Sequence, residues 1–266
     1  MAASEPYGPG IGATVSAALV TGAAKRIGGA IALALARQGW KVAVHYHGSK
    51  SAAEEIVAKI AKAGGTAVAL QADLGREEEV VALLPGAERA LGPVTLLVNN
   101  ASVFEMDKID TVTRESWDRH LETGLRAPLV LIQALAKRLP KDAKGNVVNM
   151  LDERVWAPTP YFLSYTVAKA GLWTLTQTLA LALAPRIRVN GIGPGPTLPS
   201  SRQSEEQFQE QWQRMPLGRG TTPEEIARAV EFILSSPALT GQMIALDGGQ
   251  HLGWAVPSPR RVDPKE

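Results

Sequence analysis

Seven short apolar runs punctuate the chain, and between them lie longer segments whose apolar residues return every three or four positions. The runs are Thr14–Val20, Lys41–Tyr46, Thr66–Gln71, Val94–Val98, Asn146–Leu151, Ile187–Ile192 and Gln242–Leu246, each short enough to be a strand. The amphipathic segments are Ala30–Arg37, Ala52–Ala63, Glu77–Leu91, Arg114–Leu139, Tyr161–Ala184 and Pro223–Ser235, whose spacing predicts helices. Strand and helix in alternation predict an α/β fold, a single-domain Rossmann-type doubly wound parallel sheet of about seven strands with helices on both faces. The domain is expected to span residues 13–256, with a tail before it at 1–12 and another at 257–266, both rich in Pro or Gly and without chemistry. The polar stretch Pro199–Pro216, with Phe208 and Trp212 among glutamines and glutamates, is expected to be a mobile lid.

Composition narrows the function. The 266 residues and 45% hydrophobic content are enough for a large core. The net charge of +2 is spread over 28 basic and 26 acidic residues without a basic cluster, which disfavours a nucleic-acid partner. With no cysteine there is neither a disulfide nor a thiolate metal site, in keeping with a reducing compartment. No apolar run reaches the roughly 18 residues a membrane helix needs, and the first residues lack a signal-peptide pattern, so a soluble cytoplasmic protein is expected.

Candidate chemistry gathers where the strands end. The first strand runs into Thr21-Gly22-Ala23-Ala24-Lys25-Arg26-Ile27-Gly28 and then a helix, the context in which backbone N–H groups and a helix N-terminus accept a dinucleotide pyrophosphate. Arg26 stands where a middle glycine is common. The second strand ends in His45-Tyr46-His47-Gly48-Ser49-Lys50, with no carboxylate for a ribose 2′-hydroxyl. Ser49, Lys50, Arg26 and the histidines could instead meet a 2′-phosphate, so NADPH is expected. No metal site is expected, because the other histidines, His120 and His251, lie far away in sequence. Asp73-Leu74 follows the third strand, where the carboxylate could accept from an adenine amino group or cap a helix. Asn100, Ala101, Ser102 and Phe104 follow the fourth, and Pro194-Gly195 the sixth, where a backbone can pass close over a nicotinamide.

Tyr165 and Lys169 are spaced to share one helix face, and a nearby ammonium is expected to lower the phenol pKa toward working pH. Asp152, at the end of the fifth strand, can reach the same place.

With these residues in view, the chain resembles the short-chain dehydrogenase/reductase family from Thr14 to Gly249. The resemblance rests on Thr21-Gly22 to Gly28, Asp73-Leu74, Asn99-Asn100-Ala101, Tyr165 with Lys169, Pro194-Gly195 and Leu246-Asp247-Gly248-Gly249. Within the family it is most similar to the pteridine reductases, including the bacterial dihydromonapterin reductase type. Arg26, His45-Tyr46-His47, the Asn-Ala-Ser-x-Phe ending at Phe104, and Asp152 in place of the usual serine carry that similarity. The resemblance implies reduction of a dihydropterin-like pteridine, with folates also conceivable, in which Phe104 stacks on the pterin and Ser102 and Arg26 bond its polar edge or the cofactor phosphates. It implies that Tyr165 and Asp152 route the proton, that Lys169 holds the nicotinamide ribose, and that the assembly is a homotetramer. Gly124 stands where the family usually has asparagine, and Gly48 where the related phosphate clamp often has arginine. The rival readings are a carbonyl reductase of the 3-oxoacyl or sugar type, for which serine at 152 is expected, and a cofactor-sensing protein without catalysis.

Overall fold

The computed structural model describes residues 16–200 and 202–253, so the two predicted tails and the Thr14 end of the first strand lie outside the described residues. The strands are β1 (Ala17–Val20), β2 (Lys41–Tyr46), β3 (Ala67–Gln71), β4 (Val94–Asn99), β5 (Gly145–Met150), β6 (Ile187–Pro194) and β7 (Met243–Leu246). All pair in parallel, in the order β3-β2-β1-β4-β5-β6-β7. Helices α1 (Arg26–Arg37), α2 (Lys50–Lys62) and α8 (Pro223–Ser235) cover one face; α3 (Glu77–Leu91), α5 (Ala127–Arg138) and α6 (Leu163–Leu183) cover the other. Because both faces are covered, the central β1 and β4 are buried at every position, which is why they read as unbroken apolar runs rather than alternating ones. Each fully buried Val, Leu or Ile there contributes roughly 1.5–3 kcal/mol.

The chain winds outward from β1 in both directions, so the strand order reverses between β1 and β4. That reversal opens a crevice at the carboxyl ends of the strands. Two stretches differ from the sequence expectation. The helix expected over Arg114–Leu139 is divided into α4 (Arg114–Leu121), a π-helical turn at Glu122–Arg126, and α5. Pro128 offers no N–H to the carbonyl four residues back, and the Ala127 N–H bonds Glu122 instead, one residue beyond α spacing. The expected lid over Pro199–Pro216 contains a helix, α7 (Glu205–Gln213). Its start is fixed by Ser204 and Gln207, each side chain bonding the other's backbone N–H, and two glutamates complement the helix dipole in the first turn.

Candidate active site

The glycine turn is shaped by backbone contact. Gly22 has φ +62, and a Cβ there would lie 3.0 Å from the Ala101 Cα; at Gly28 a Cβ would lie 2.3 Å from the Gly22 carbonyl oxygen. Only glycine satisfies either position. Asn100 donates to the carbonyls of Thr21 (2.8 Å) and Gly22 (3.2 Å), tying the end of β4 to this turn. Ile27, His47, Asp73, Leu74, Ala101 and Ser102 line the adjoining cleft of about 740 Å³, as do Pro194 and Gly195. Asp73 is not a helix cap; its Oδ1 accepts from the Gly75 N–H at 2.9 Å, and α3 begins after Arg76.

Three expectations about the second strand change. His45 is buried, its Nδ1 accepting from the Gly22 N–H at 3.0 Å and its Nε2 lying 3.1 Å from the Ala72 carbonyl. Burial lowers its pKa to about 4, so it braces the glycine turn as a neutral ring and offers no charge to a phosphate. Tyr46 points into the core, and Ser49 and Lys50 line a separate neighbouring cavity, where Lys50 pairs with Glu54 at 3.8 Å. A folded-state pKa below the unfolded value of about 6.5 means the unfolded chain binds the extra proton first. The stability contributed by His45 is therefore full above that value and lost as pH falls toward about 4. Thermal unfolding measured across this window should show the loss, and His45→Asn should flatten that part of the profile; an unchanged slope in the variant would refute the assignment.

The catalytic candidates do meet. Tyr165 donates its hydroxyl to Asp152 Oδ2 at 2.7 Å, and Lys169 Nζ donates to the Met150 carbonyl at 2.6 Å. Asp152 Oδ1 accepts from the Arg154 N–H at 2.9 Å, with Arg154 Nη1 3.4 Å away. The expected fall in the Tyr165 pKa is not what this geometry gives. Burial, and then the charge of Asp152, push the phenol well above its usual value of 10, because removing the proton would leave two buried anions together. Burial brings Lys169 down to about 8, with Asp152 opposing. The site thus holds a proton-bearing phenol against a carboxylate, beside a lysine whose hold on its proton is weakened by burial.

Phe104 crosses this group as a half-buried ring, 4.9 Å from the Tyr165 ring and nearly perpendicular to it. Its far face is backed by Phe162, stacked at 4.3 Å and 7°, and the Arg154 guanidinium lies 5.6 Å and 5.2 Å from the two rings. Phe162 and Arg26 are the described non-glycine residues with positive φ, 57° and 54°, a conformation that costs about 1–3 kcal/mol and gathers at functional sites. The Arg26 guanidinium donates to the carbonyls of Pro199 (2.9 Å) and Leu198 (3.3 Å), so it fastens the glycine turn to the lid strap in addition to lining the cleft. From the lid, Arg202 donates to the Phe104 carbonyl at 2.6 Å, and Phe208 faces the cleft. Arg154, Phe162 and Arg202 were not legible in the sequence: none lies in a motif, and each is brought here by loop geometry.

A profile described as enoyl-(acyl carrier protein) reductase matches residues 22–251. The chain belongs to the short-chain dehydrogenase/reductase family. Among curated family members, the 3-oxoacyl-[acyl-carrier-protein] reductase of Synechocystis sp. is 34% identical over 89% of this chain and 97% of its own. Glucose 1-dehydrogenase 2 of Bacillus subtilis is 33% identical over 90% and 96%. The solved structures include FolM alternative dihydrofolate reductase 1 of Brucella canis, complexed with NADP, with a TM-score of 0.88 and 48% identity over 92% of this chain and 97% of that one. The Brucella suis counterpart, also in complex with NADP, has a TM-score of 0.85 and 46% identity over 91% and 98%. The family's sheet and helices are those described above. Among the described residues no helix is long and apolar enough to cross a membrane.

Proposed function

We propose that this protein is an NADPH-dependent reductase of dihydropteridines, folates included. The observation that carries the reading is the Tyr165 hydroxyl on Asp152, at the edge of the Phe104 ring. The turn at Gly22 and Gly28 leaves no room for side chains, and the N-terminus of α1 has no side-chain cap, so its N–H groups suit a pyrophosphate. Lys169, on the cleft wall, holds the nicotinamide ribose, and Gly195, where a Cβ would lie 2.7 Å from the Asp247 Cα, keeps the far wall of the cleft tight. The chemistry this cofactor supplies when bound is a hydride. Tyr165 gives its proton to the ring nitrogen of the reduced C=N bond, while Asp152 orients the phenol and accepts from the amino edge of the pteridine. Phe104 offers a flat apolar face to a planar heteroaromatic. The family resemblance points to a homotetramer, and the composition and lack of a signal pattern point to the cytoplasm.

The identities to 3-oxoacyl reductases and a glucose dehydrogenase keep a carbonyl substrate as the second reading. The two separate in one assay, in which NADPH oxidation is followed with dihydropterins, dihydrofolate, 3-oxoacyl thioesters and simple ketones. Turnover of pteridines is expected, and activity confined to carbonyls would end the first reading. The same assay run with NADH tests the cofactor. Each charge-assisted phosphate contact is worth roughly 1.5–3 kcal/mol, so two, from Lys25 and Arg26 on the cleft wall, give NADPH an advantage of about a hundredfold or more. Equal kcat/KM for the two cofactors would overturn that expectation.

Phe104→Ala should raise the pteridine KM about tenfold or more and leave NADPH affinity nearly unchanged, since stacking on a ring contributes on the order of 1–3 kcal/mol. Its backing by Phe162 makes some loss of stability certain, so a melting curve accompanies the kinetics. Wild-type KM in a folded variant would remove Phe104 from substrate binding.

A further inference from the structure

A buried polar cluster lies behind the site, used by none of the chemistry described so far. Asp107, His120 and Ser164 are all under 3% exposed. Asp107 Oδ1 accepts from the Ser164 N–H at 3.1 Å, its Oδ2 accepts from the Ser164 hydroxyl and from Ser116 Oγ (3.2 Å), and its backbone carbonyl accepts from the Leu163 N–H at 3.3 Å. His120 Nε2 accepts from the Glu105 N–H at 3.2 Å, which places the ring proton on Nδ1. From there it faces the Ser116 carbonyl (2.8 Å) and Ser164 Oγ (2.7 Å).

These bonds join three parts of the chain. Asp107 lies three residues beyond Phe104, Ser164 immediately precedes Tyr165, and His120 is in the last turn of α4, its ring 6.2 Å from that of Tyr165. The residue at the N-cap of α6 is Phe162, which is left-handed and supplies no capping oxygen. The first N–H groups of the helix therefore depend on an acceptor brought from the loop after β4, and a carboxylate at that end also complements the helix dipole. The same loop is pinned a second time where Phe104 stacks on Phe162.

We infer that Asp107, Ser164 and His120 form a positioning clamp that fixes the loop carrying Phe104 against the first turn of α6, setting the place of the Tyr165 hydroxyl relative to the substrate platform. None of the three touches the reacting atoms. Their effect passes through Tyr165 and Phe104, and the inference rests on the reading of Tyr165 as proton donor. The clamp joins the two halves of the site that must agree in distance, and a misplacement of about 1 Å can cost on the order of a hundredfold in rate.

The test uses Ser164→Ala, which removes one hydroxyl, and His120→Gln as an independent variant, with Asp107→Asn as the milder change at the acceptor. Amide hydrogen exchange is followed by mass spectrometry without substrate. Turnover is then measured with whichever compound of the substrate panel the wild-type enzyme reduces, so failure of the pteridine reading leaves this test standing. Ser164→Ala and His120→Gln are expected to lose protection together at residues 100–108 and 161–168 while 77–91 stays protected. They are also expected to lower kcat about tenfold or more, with the KM for NADPH unchanged. Protection lost only at 161–168, or wild-type kcat in both variants, would overturn the clamp. Loss extending over 77–91, with kcat falling in step with the melting temperature, would show ordinary core and overturn it as well.

Discussion

Tyr165→Phe is expected to lower turnover by about 10²–10⁴ while the protein folds and binds cofactor normally, the range associated with loss of a positioned acid. The substitution removes one oxygen and leaves the ring, which keeps its edge contact with Phe104. What disappears is the proton that burial and Asp152 hold in place. Asp152 Oδ2 also loses its donor, but Asp152 remains bonded to the Arg154 backbone N–H, so the loop beyond β5 has no reason to move. Rates under substrate saturation, set beside an NADPH fluorescence titration and a circular dichroism spectrum, isolate the effect. Turnover within a few-fold of wild type would show that the proton comes from elsewhere.

The second large effect is expected at Asp152, the residue that divides the two substrate readings. A carboxylate beside the phenol suits a pteridine, whose amino groups need an acceptor, and opposes the oxyanion that develops when a carbonyl is reduced. Asp152→Asn keeps the volume, and Asp152→Ser installs the hydroxyl expected of a carbonyl reductase. Both should lower pteridine turnover by about 10² or more, the usual scale for a lost acid–base partner. The serine variant discriminates further, because any gain on ketones would arise from removing the repulsive charge. If both variants turn over pteridines at the wild-type rate, Asp152 is a bystander and the carbonyl reading takes precedence.

Much of this was legible in the sequence because parallel strands covered on both faces leave a strong periodic trace. The bounds of β2, α3 and α8 agree to the residue with their apolar patterns. Asp152 and the glycine turn were legible because each follows a strand end, and Tyr165 and Lys169 because their spacing places them on one helix face. The electrical character of the site was not. Spacing placed the lysine and the tyrosine on one face, but the phenol responds to its own burial and to Asp152, and neither distance is encoded locally. His45 lines the cleft, yet its bracing of the glycine turn was not legible, because a histidine facing a ligand and one bracing a turn look alike in a string of letters. The lid helix was within reach, since Ser204 and Gln207 have the spacing of a helix start and Phe208 and Trp212 are one turn apart. Its high glutamine and glutamate content masks that apolar pair.

The strand order carries a consequence for how the molecule comes into being. β1 is paired on one side with β2 and on the other with β4, and β7 enters at the far edge from β3. Residues around the cleft run from Gly22 to Gln250, so no short fragment of the chain contains it. Pairings between distant parts of a chain must bear the entropy of loop closure before they are rewarded, which makes such sheets slow to assemble. Catalytic competence therefore requires almost the whole sheet to be in place, and the first turn of α6, whose acceptor is Asp107, depends on the loop that follows β4.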